Sequence, residues 1–403
     1  MSSKPKKPTR APKPAAPAGA KTKSGAKAKR IDLSPYPLVA LVLQGGGALG
    51  AYQAGAYAAL AEEGIHPNWV AGISIGAINA AIIAGNAREE RADKLRGFWR
   101  RITTPIELPE GPASSPLHPL FNMTSALSTV LLGQPGFFTP RLLSPWVQQA
   151  GAPGAVSYYD TTALAATLEE FVDFDRIAKS GETRLSVGTV NVRTGNFVYF
   201  DSARERIRPA HVMASGALPP GFPAIEIDGE MYWDGGLVSN SPLEYVLTKG
   251  PRISTLVFQI DLFSARGDLP TQMPGVFDRQ KDIVYSSRTR ANTDSFKRER
   301  QARADINYLL EKLPANLRQD PRVRQIAVSA KDDGLYNIIH LIYRRQSYEF
   351  SSKDYEFSRG SEHEHFEAGL QDTRHTLQYP EWFRPPPRER GVCVHDVHCD
   401  AKE

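Results

Sequence analysis

Hydrophobic and polar positions divide the middle of the chain into short apolar runs and longer segments with helical spacing. The apolar run 37–44 (PLVALVLQ) predicts a buried strand that stops at three consecutive glycines, and 48–63 predicts a helix that ends at Gly64. Residues 69–74 predict a second strand, and 75–85 a second helix. Strands that alternate with helices in this way predict a parallel sheet with right-handed crossovers, and so an α/β fold class.

Further along, two more apolar regions fit the same sheet. Residues 184–200 predict two strands around a turn at 194–196, and 255–263 predict another buried strand. Between the two halves, 103–157 is rich in proline, glycine and serine with apolar islands, which predicts an insertion or cap. The apolar side chains of 117–138 either line an acyl-binding cleft or pack in the core.

The pattern then changes, and we place a boundary between a main domain, 31–275, and a C-terminal extension, 276–403. Residues 278–312 predict a long charged helix whose basic residues fit either a solvated face or peripheral membrane contact. Residues 335–350 predict a strand or a mixed segment. We expect the extension to be mainly helical, with a loose end from about residue 384.

Charge is distributed unevenly along the chain. The 403 residues have a formal net charge of +5, yet residues 1–30 hold eight Lys and two Arg without any acid. That segment is therefore +10, and the rest, with 39 basic and 44 acidic residues, is −5. Lys, Pro, Ala and Gly cannot build a core, so we expect a disordered basic tail. It serves solubility or attaches the protein to an anionic surface, such as a membrane or lipid granule; we predict no specific nucleic-acid partner.

Hydropathy and cysteine content indicate the compartment. No apolar run reaches the roughly 18 residues of a transmembrane helix, and the N-terminus lacks the apolar stretch of a secretory signal. The two cysteines, Cys393 and Cys399, are too few to frame the fold with disulfides. These features predict a cytoplasmic protein.

The turn at Gly72-Ile73-Ser74-Ile75-Gly76 matches the pattern G-x-S-x-G between a predicted strand and a predicted helix. A serine on such a sharp turn has strained backbone angles, and glycines two residues before and after it relieve the crowding. The following helix directs the positive end of its dipole toward the serine. The pattern therefore predicts Ser74 as a nucleophile for acyl transfer.

The glycines after the first strand fit the same acyl-transfer chemistry. Gly45, Gly46 and Gly47 offer a row of backbone N–H groups at the start of a helix, with Gly50 completing the turn. Such groups bind the oxyanion of a tetrahedral intermediate if no side chain blocks the approach. Because parallel strands end at the same edge of a sheet, this turn and Ser74 are expected to face each other. A dinucleotide-binding turn and a purely structural turn are the alternatives.

A serine nucleophile needs a base, and the segment MYWDGGLVSNSP supplies a candidate. Asp234 ends a short apolar run and is followed by Gly235 and Gly236. A carboxylate at a strand end can accept the serine proton directly if it lies within hydrogen-bond reach. An Asp-Gly turn between strands is the alternative, and a histidine among the nine in the chain would be the base in a triad.

Together, GGGALG, GISIG and DGG followed by Asn and Pro resemble the patatin-like phospholipases over about residues 37–263. The segment ASGALPPGFPAIEIDGEMYWDGG, 214–236, is similar to the family's approach to its catalytic aspartate. The resemblance implies a three-layer α/β/α fold with a mostly parallel central sheet, and a Ser–Asp dyad of Ser74 and Asp234. It implies no metal or organic cofactor. The C-terminal third resembles an extension in one bacterial branch of the family.

The expected function is hydrolysis of carboxylic esters of lipids through an acyl-enzyme. Leu49 stands where the family often has Arg or Lys, so a preference for phosphate-bearing headgroups is left open. The alternatives are a soluble carboxylesterase, an intracellular polyester hydrolase, and a lipid-surface-binding protein without catalysis. The sequence does not indicate the oligomeric state.

One further cluster has metal-ligating residue types. Cys393, His395, His398 and Cys399 lie within seven residues, which is tighter than the usual structural zinc spacing. His363 and His365 lie on different faces if their segment is helical. We predict no metal site from either group.

Overall fold

The structure is a computed structural model that describes residues 31–104, 117–331, 334–344, 353–388 and 390–396, with the side chains of 117–123 and 287–291 outside the description. The predicted tail, 1–30, falls outside these ranges, as do His398 and Cys399 of the metal-type cluster. None of the helices in the described ranges has the length and hydrophobicity needed to cross a bilayer.

The strands, in chain order, are β1 (Leu38–Leu43), β2 (Trp69–Ile73), β3 (Thr139–Pro140), β4 (Tyr159–Asp160), β5 (Arg184–Asn191), β6 (Phe197–Asp201), β7 (Ile225–Ile227), β8 (Glu230–Asp234), β9 (Thr255–Asp261), β10 (Tyr336–Ile342) and β11 (Val392–Asp396). The helices are α1 (Gly50–Glu62), α2 (Ile75–Ala84), α3 (Arg91–Ile102), α4 (Leu117–Leu132), α5 (Thr162–Phe171), α6 (Phe174–Ser180), α7 (Pro209–Ser215), α8 (Leu243–Lys249), α9 (Met273–Lys312), α10 (Ala315–Arg318), α11 (Pro321–Ala330) and α12 (Arg359–Thr376).

Nine of these strands form one sheet in the order β11-β10-β9-β1-β2-β5-β8-β7, with β6 also paired to β5. The pairs from β11 through β5 are parallel, whereas β6, β7 and β8 pair antiparallel at the other side. The predicted α/β class with a mostly parallel sheet is confirmed.

Alternate side chains of each buried strand pack on opposite faces of the sheet. On one face, Leu41 and Leu43 of β1 join a core with α1, α2, α3 and α12. On the other face, Ala40 and Val42 pack with α8 and with Phe296 of α9. Because β1 is covered on both faces, its sequence is continuously apolar, as parallel central strands require.

The C-terminal part of the chain is built into this fold. Strand β10 pairs with β9, and β11 pairs with β10 as the edge strand, so Val392–Asp396 is ordered where the sequence predicted a loose end. Hydrogen bonds to the edge of β10 hold these five residues in a strand. Their sequence is short and flanked by polar residues, so it would not indicate a strand by itself. The extension thus contributes strands as well as the expected helices.

Helix α12 of the extension also packs closely on α1. A Cβ atom at Gly55 would lie 1.9 Å from the carbonyl oxygen of Phe366, and one at Gly369 would lie 2.0 Å from that of Tyr52. Two glycines therefore allow the helix backbones to approach each other. The Tyr52 hydroxyl donates a hydrogen bond to Asp372 at 2.8 Å, and this contact joins α1 of the main domain to α12 of the extension.

Candidate active site

Ser74 lies between the end of β2 and the start of α2, on a turn with strained backbone angles. Its φ of 55° and ψ of −126° fall in a region that residues with a side chain rarely adopt. A Cβ atom at Gly72 would lie 2.2 Å from the carbonyl oxygen of Gly76, and one at Gly76 would lie 2.4 Å from that of Leu43. Both positions therefore require glycine for the turn to close.

The strained turn is fixed by a buried serine that the sequence analysis did not identify. The Ser74 N–H donates to the hydroxyl oxygen of Ser215 at 2.9 Å, and that hydroxyl donates to the carbonyl oxygen of Gly188 at 2.7 Å. Ser215 is fully buried at the end of α7. It lies in the segment ASGALPP, whose family resemblance was the one signal that pointed to this place.

Asp234 is buried at the end of β8, only 2% exposed. Burial raises the pKa of its carboxyl group to about 7, although hydrogen bonds from the Gly236 N–H and the Ser74 side chain act in the opposite direction. The Gly236 N–H donates to Asp234 Oδ1 at 2.7 Å. The Ser74 side chain is thus close enough to the Asp234 carboxyl group to lower its pKa, which remains near neutral pH because of burial.

The two glycines after Asp234 are packed closely against neighbouring atoms. A Cβ atom at Gly235 would lie 2.7 Å from the carbonyl oxygen of Gly188, and one at Gly236 would lie 3.1 Å from Asp234 Oδ1. A side chain at Gly236 would press on the carboxylate itself. The glycines therefore let the chain turn tightly around Asp234.

Gly45 lies directly beside Ser74, so the first glycine turn and the serine turn meet. A Cβ atom at Gly45 would lie 3.0 Å from Ser74 Cβ and 2.5 Å from Asn240 Oδ1. The Asn240 side-chain amide donates to the Gly45 carbonyl oxygen at 3.0 Å, and the Gly45 N–H reaches the Asn240 carbonyl oxygen at 3.4 Å. Gly45 is therefore buried and held by Asn240.

The next two glycines differ from Gly45. Gly46 and Gly47 are partly exposed, and within the described ranges neither N–H makes a hydrogen bond. The following N–H, of Ala48, donates to the carbonyl oxygen of Asp354 at 2.8 Å. Of the three predicted oxyanion residues, Gly46 and Gly47 therefore have N–H groups available to a ligand, whereas the Gly45 N–H is directed at Asn240.

The start of α1 packs behind the turn. A Cβ atom at Gly50 would lie 2.6 Å from Ile75 Cγ1 and 2.9 Å from the Trp99 ring, so glycine is needed where α1 passes α2. Leu49 is fully buried in the core. Because an unpaired cation would be costly there, the leucine suits this packing and does not face the surface of the site.

The C-terminal extension also contacts the glycine turn. A Cβ atom at Gly47, whose φ is +56°, would lie 2.0 Å from the Asp354 carbonyl oxygen. The Asp354 carboxylate accepts from Lys281 Nζ at 2.7 Å, and the neighbouring Lys353 Nζ donates to Asp282 Oδ1 at 2.9 Å. Two ion pairs of opposite polarity thus fasten the segment around Asp354 to α9. The sequence analysis placed these residues in a predicted helix and in the extension but gave them no role in the site.

Histidine and metal-type clusters lie elsewhere. His211 is buried, and its Nδ1 accepts from the Arg208 N–H at 2.8 Å, while burial lowers its pKa to about 4. His395 and Cys393 belong to β11, and His395 stacks on Trp382. Among the described residues, no three His, Cys, Asp or Glu side chains are grouped as a metal site would require.

Three-dimensional comparisons give weak likenesses. VipD from Legionella pneumophila is 14% identical, with 89% of this chain and 71% of that chain covered at a TM-score of 0.35. ExoU from Pseudomonas aeruginosa, in complex with SpcU, is 16% identical, with coverage of 73% and 60% at a TM-score of 0.26. Human GIVD cytosolic phospholipase A2 is 11% identical, with coverage of 56% and 41% at 0.26. The comparison with curated proteins gives no match.

Family models give a clear result. The model described as patatin-like phospholipase matches residues 41–247, which contain both glycine turns and Asp234. A second model, described as patatin phospholipase, matches residues 283–389 of the extension. Patatin-like phospholipases act on lipid esters. The chain therefore belongs to the patatin-like phospholipase family, which supports a lipid hydrolase function.

Proposed function

We propose that the protein is a lipid acyl hydrolase that cleaves carboxylic ester bonds with a Ser74–Asp234 dyad through an acyl-enzyme. The observation that carries this proposal is the position of the Ser74 side chain close enough to the buried Asp234 carboxyl group to lower its pKa, which burial raises to about 7. A carboxylate with a pKa near the working pH is a competent general base. The dyad needs no metal or organic cofactor.

In the first step, the Asp234 carboxylate accepts the hydroxyl proton while Ser74 Oγ forms a bond to the ester carbonyl carbon. The carbonyl oxygen becomes an oxyanion. The N–H groups of Gly46 and Gly47 are the donors that we assign to it, because they are the two in the turn without another acceptor in the described ranges. The N-terminus of α2 adds the positive end of its dipole next to Ser74.

In the second step, protonated Asp234 returns the proton to the leaving alkoxide oxygen, the bond between the carbonyl carbon and that oxygen breaks, and the alcohol departs. A water molecule then attacks the acyl carbon while Asp234 accepts one of its protons. When the second tetrahedral intermediate collapses, the proton returns to Ser74 Oγ and the carboxylic acid leaves. One ester and one water thus give one alcohol and one acid.

The strained φ of Ser74 has a role in this scheme. A residue in such a conformation stores roughly 1–3 kcal/mol, which the surrounding contacts must offset. The hydrogen bond from the Ser74 N–H to Ser215 is one of these contacts. Holding the turn in place keeps Oγ beside both the carboxylate and the glycine N–H groups before substrate arrives, which lowers the entropic part of the barrier.

The experiment compares hydrolysis of p-nitrophenyl esters and of phosphatidylcholine vesicles by the wild type, Ser74→Ala and Asp234→Asn. Asp261→Asn is the matched control, because Asp261 is also a buried carboxyl group at a strand end with a pKa raised to about 7 by burial. We expect the first two variants to lose at least about 10⁴-fold in kcat, as triad knockouts do, and the control to keep its rate. Circular dichroism checks folding.

A burst of p-nitrophenol and an acylated Ser74 peptide in mass spectra would identify the acyl-enzyme. Activity on soluble esters alone would favour the carboxylesterase or polyester hydrolase alternative. A folded wild type that is inactive on every ester, or a Ser74→Ala variant with the wild-type rate, would reject the hydrolase proposal and leave a lipid-surface-binding protein.

A further inference from the structure

The cap loop, residues 141–158, exposes an unusual number of apolar side chains. The residues concerned are Leu142, Leu143, Trp146, Val147, Val156 and Tyr158, and all but Tyr158 have at least 65% of their surface exposed. Single exposed apolar residues are ordinary on protein surfaces, but a contiguous group of them marks an interaction surface.

Hydrogen bonds close the cap loop on itself, which brings these side chains together. The Arg141 N–H donates to the Tyr158 carbonyl oxygen at 3.0 Å, and Trp146 Nε1 donates to the Tyr158 hydroxyl at 3.0 Å. The Gln148 side-chain amide donates to the carbonyl oxygens of Leu143 and Gly154, each at 3.0 Å. The apolar residues are thus held on one folded loop.

The cap loop packs on an aromatic cluster that belongs to the hydrophobic core, and we call this cluster the base. The Phe138 ring lies 5.0 Å from the Tyr159 ring and 5.1 Å from the Phe222 ring, measured between centroids, and Phe137 and Phe138 are buried. The exposed side chains stand outside this cluster. They are therefore available to a partner, and replacing them should leave the base intact.

The charge pattern indicates what kind of partner fits. Between Glu110 and Asp160 the sequence contains no Asp or Glu, and Arg141 is its one Lys or Arg. Arg141 is mostly buried and pairs with Asp160 at 3.2 Å. The loop therefore carries no carboxylate that a lipid phosphate would repel. Trp and Tyr beside Leu and Val are the composition that favours the boundary between headgroups and acyl chains.

Segment 215–222 joins the cap loop to the candidate active site. The Tyr158 and Tyr159 N–H groups donate to the carbonyl oxygens of Pro220 and Gly221, at 3.2 and 2.9 Å. A few residues earlier, the Ala217 carbonyl oxygen accepts from the Asp234 N–H at 3.0 Å. The segment 215–222 thus contacts the Ser74 turn, Asp234 and the cap loop in succession.

We propose that the cap loop docks on the surface of a lipid aggregate, with Leu142, Leu143 and Trp146 entering the boundary between headgroups and acyl chains. Docking there brings lipid esters from the aggregate toward Ser74. The identification of the docked lipid as substrate rests on the proposed function, whereas the docking itself does not. A second copy of the chain is the competing occupant.

The test measures co-sedimentation with phosphatidylcholine vesicles in a Ser74→Ala background, so that no lipid is hydrolysed. Zwitterionic vesicles limit the contribution of the ten cations in residues 1–30. The full-length chain is compared with Leu142→Ser combined with Leu143→Ser, and separately with Trp146→Ser. The control combines Leu309→Ser and Val328→Ser, two apolar residues that are exposed to 63% and 75% on α9 and α11.

We expect the double serine variant of the cap loop to bind vesicles roughly tenfold or more weakly, because two large apolar side chains no longer leave water. The control should bind within about twofold of the parent, and high salt should change little, since the contact is apolar. Equal binding by the cap variants, or no binding by the parent, overturns the proposal.

Two further outcomes also overturn it. Binding that salt abolishes and the cap substitutions leave unchanged would assign the contact to the basic tail. A dimer in sedimentation velocity without lipid, lost in the cap variants and accompanied by no vesicle binding, would assign the patch to a second copy. Because hydrolysis is not measured, neither result bears on the dyad, which the ester assay tests separately.

Discussion

The turn around Ser74 takes its contacts from within the first family match, whereas the glycine turn beside it depends on the far end of the chain. Ser215 and Gly188 hold the Ser74 turn by two buried hydrogen bonds. The glycine turn is held by Asn240 on one side and by the Asp354 carbonyl oxygen, through the Ala48 N–H, on the other. Residues 41–247 thus contain the nucleophile and the base that we propose, while residues 283–389 complete the turn that we assign to the oxyanion.

This difference shows that the extension is an integral part of the fold. It supplies two strands of the sheet, and the buried side chain of Gln44, directly before the glycines, donates to the Tyr285 carbonyl oxygen of α9 at 3.0 Å. The same side chain accepts from the Leu262 N–H at 2.6 Å. The glycine turn therefore responds to the position of α9 and of the segment around Asp354, whereas the two hydrogen bonds that hold the Ser74 turn come from Ser215 and Gly188.

The largest expected effect comes from a side chain at Gly47. In Gly47→Ala the Cβ atom would collide with the Asp354 carbonyl oxygen at 2.0 Å, and φ is +56°. The turn must shift, and loss of one oxyanion donor costs about 10²–10³-fold in kcat. We expect that loss with p-nitrophenyl esters. Gly64→Ala is the control, because φ is +71° there and no atom lies within 4 Å, so the backbone strain is matched without a collision. A folded Gly47→Ala enzyme with normal kcat would contradict the assignment.

The second effect concerns the other turn. Ser215→Ala removes the hydroxyl that joins the Ser74 N–H to the Gly188 carbonyl oxygen, and an N–H group that loses its acceptor in a buried site costs about 1–3 kcal/mol of stability. We expect kcat to fall about 10- to 100-fold with little change in KM, because the nucleophile and not the substrate contact is displaced.

Ser186→Ala is the control for Ser215→Ala. Ser186 is equally buried and also makes two hydrogen bonds, accepting from Trp69 Nε1 at 2.8 Å and donating to Asp201 at 2.9 Å. It should lose similar stability but keep its kcat. If the two variants lose activity in proportion to stability alone, Ser215 is a structural residue and not a positioning residue.

The local parts of the site could be predicted from sequence, and the distant supports could not. Ser74 is marked by glycines two residues away on each side, and apolar runs bounded by glycine place β1 and β2 within a residue or two of their observed ends. Ser215 lies 141 residues from Ser74. Asp354 acts on the turn through a backbone carbonyl oxygen, which every residue type possesses, so its identity carries no signal.

The third effect separates the two buried carboxyl groups by pH. Since the base must be ionised and the pKa of Asp234 is about 7, kcat/KM should rise roughly tenfold between about pH 6 and pH 8. In the folded protein the pKa values of Asp234 and Asp261 lie at about 7, above the ordinary aspartate pKa of 3.8. The free energy of unfolding should therefore fall as the pH rises from about 4 to 7. Asp261→Asn should flatten that loss in thermal unfolding and leave the activity profile unchanged. A rate profile that is flat through pH 7, or that Asp261→Asn shifts, would contradict the role of Asp234.

The smallest expected effect comes from weakening the contact between the extension and the glycine turn. Lys281→Asp removes the partner of Asp354 and places two carboxylates together, which should let the Asp354 carbonyl oxygen move from the Ala48 N–H. Partly exposed ion pairs contribute about 1 kcal/mol or less, so we expect kcat to fall about fivefold. Lys179→Asp, which breaks an exposed pair with Asp175 on α6, should leave kcat unchanged.

Exchanging the charges of Lys281 and Asp354 tests whether the effect of Lys281→Asp comes from the loss of their ion pair. In Lys281→Asp combined with Asp354→Lys the attraction is restored with reversed polarity, and the backbone carbonyl oxygen of residue 354 is kept. We expect most of the lost kcat to return, with the Ser74 turn unaffected throughout because Ser215 holds it independently. A double variant no better than Lys281→Asp alone would show that the ion pair does not position the glycine turn. The dependence of that turn on the extension would then rest on the contacts of Gln44 and on the sheet.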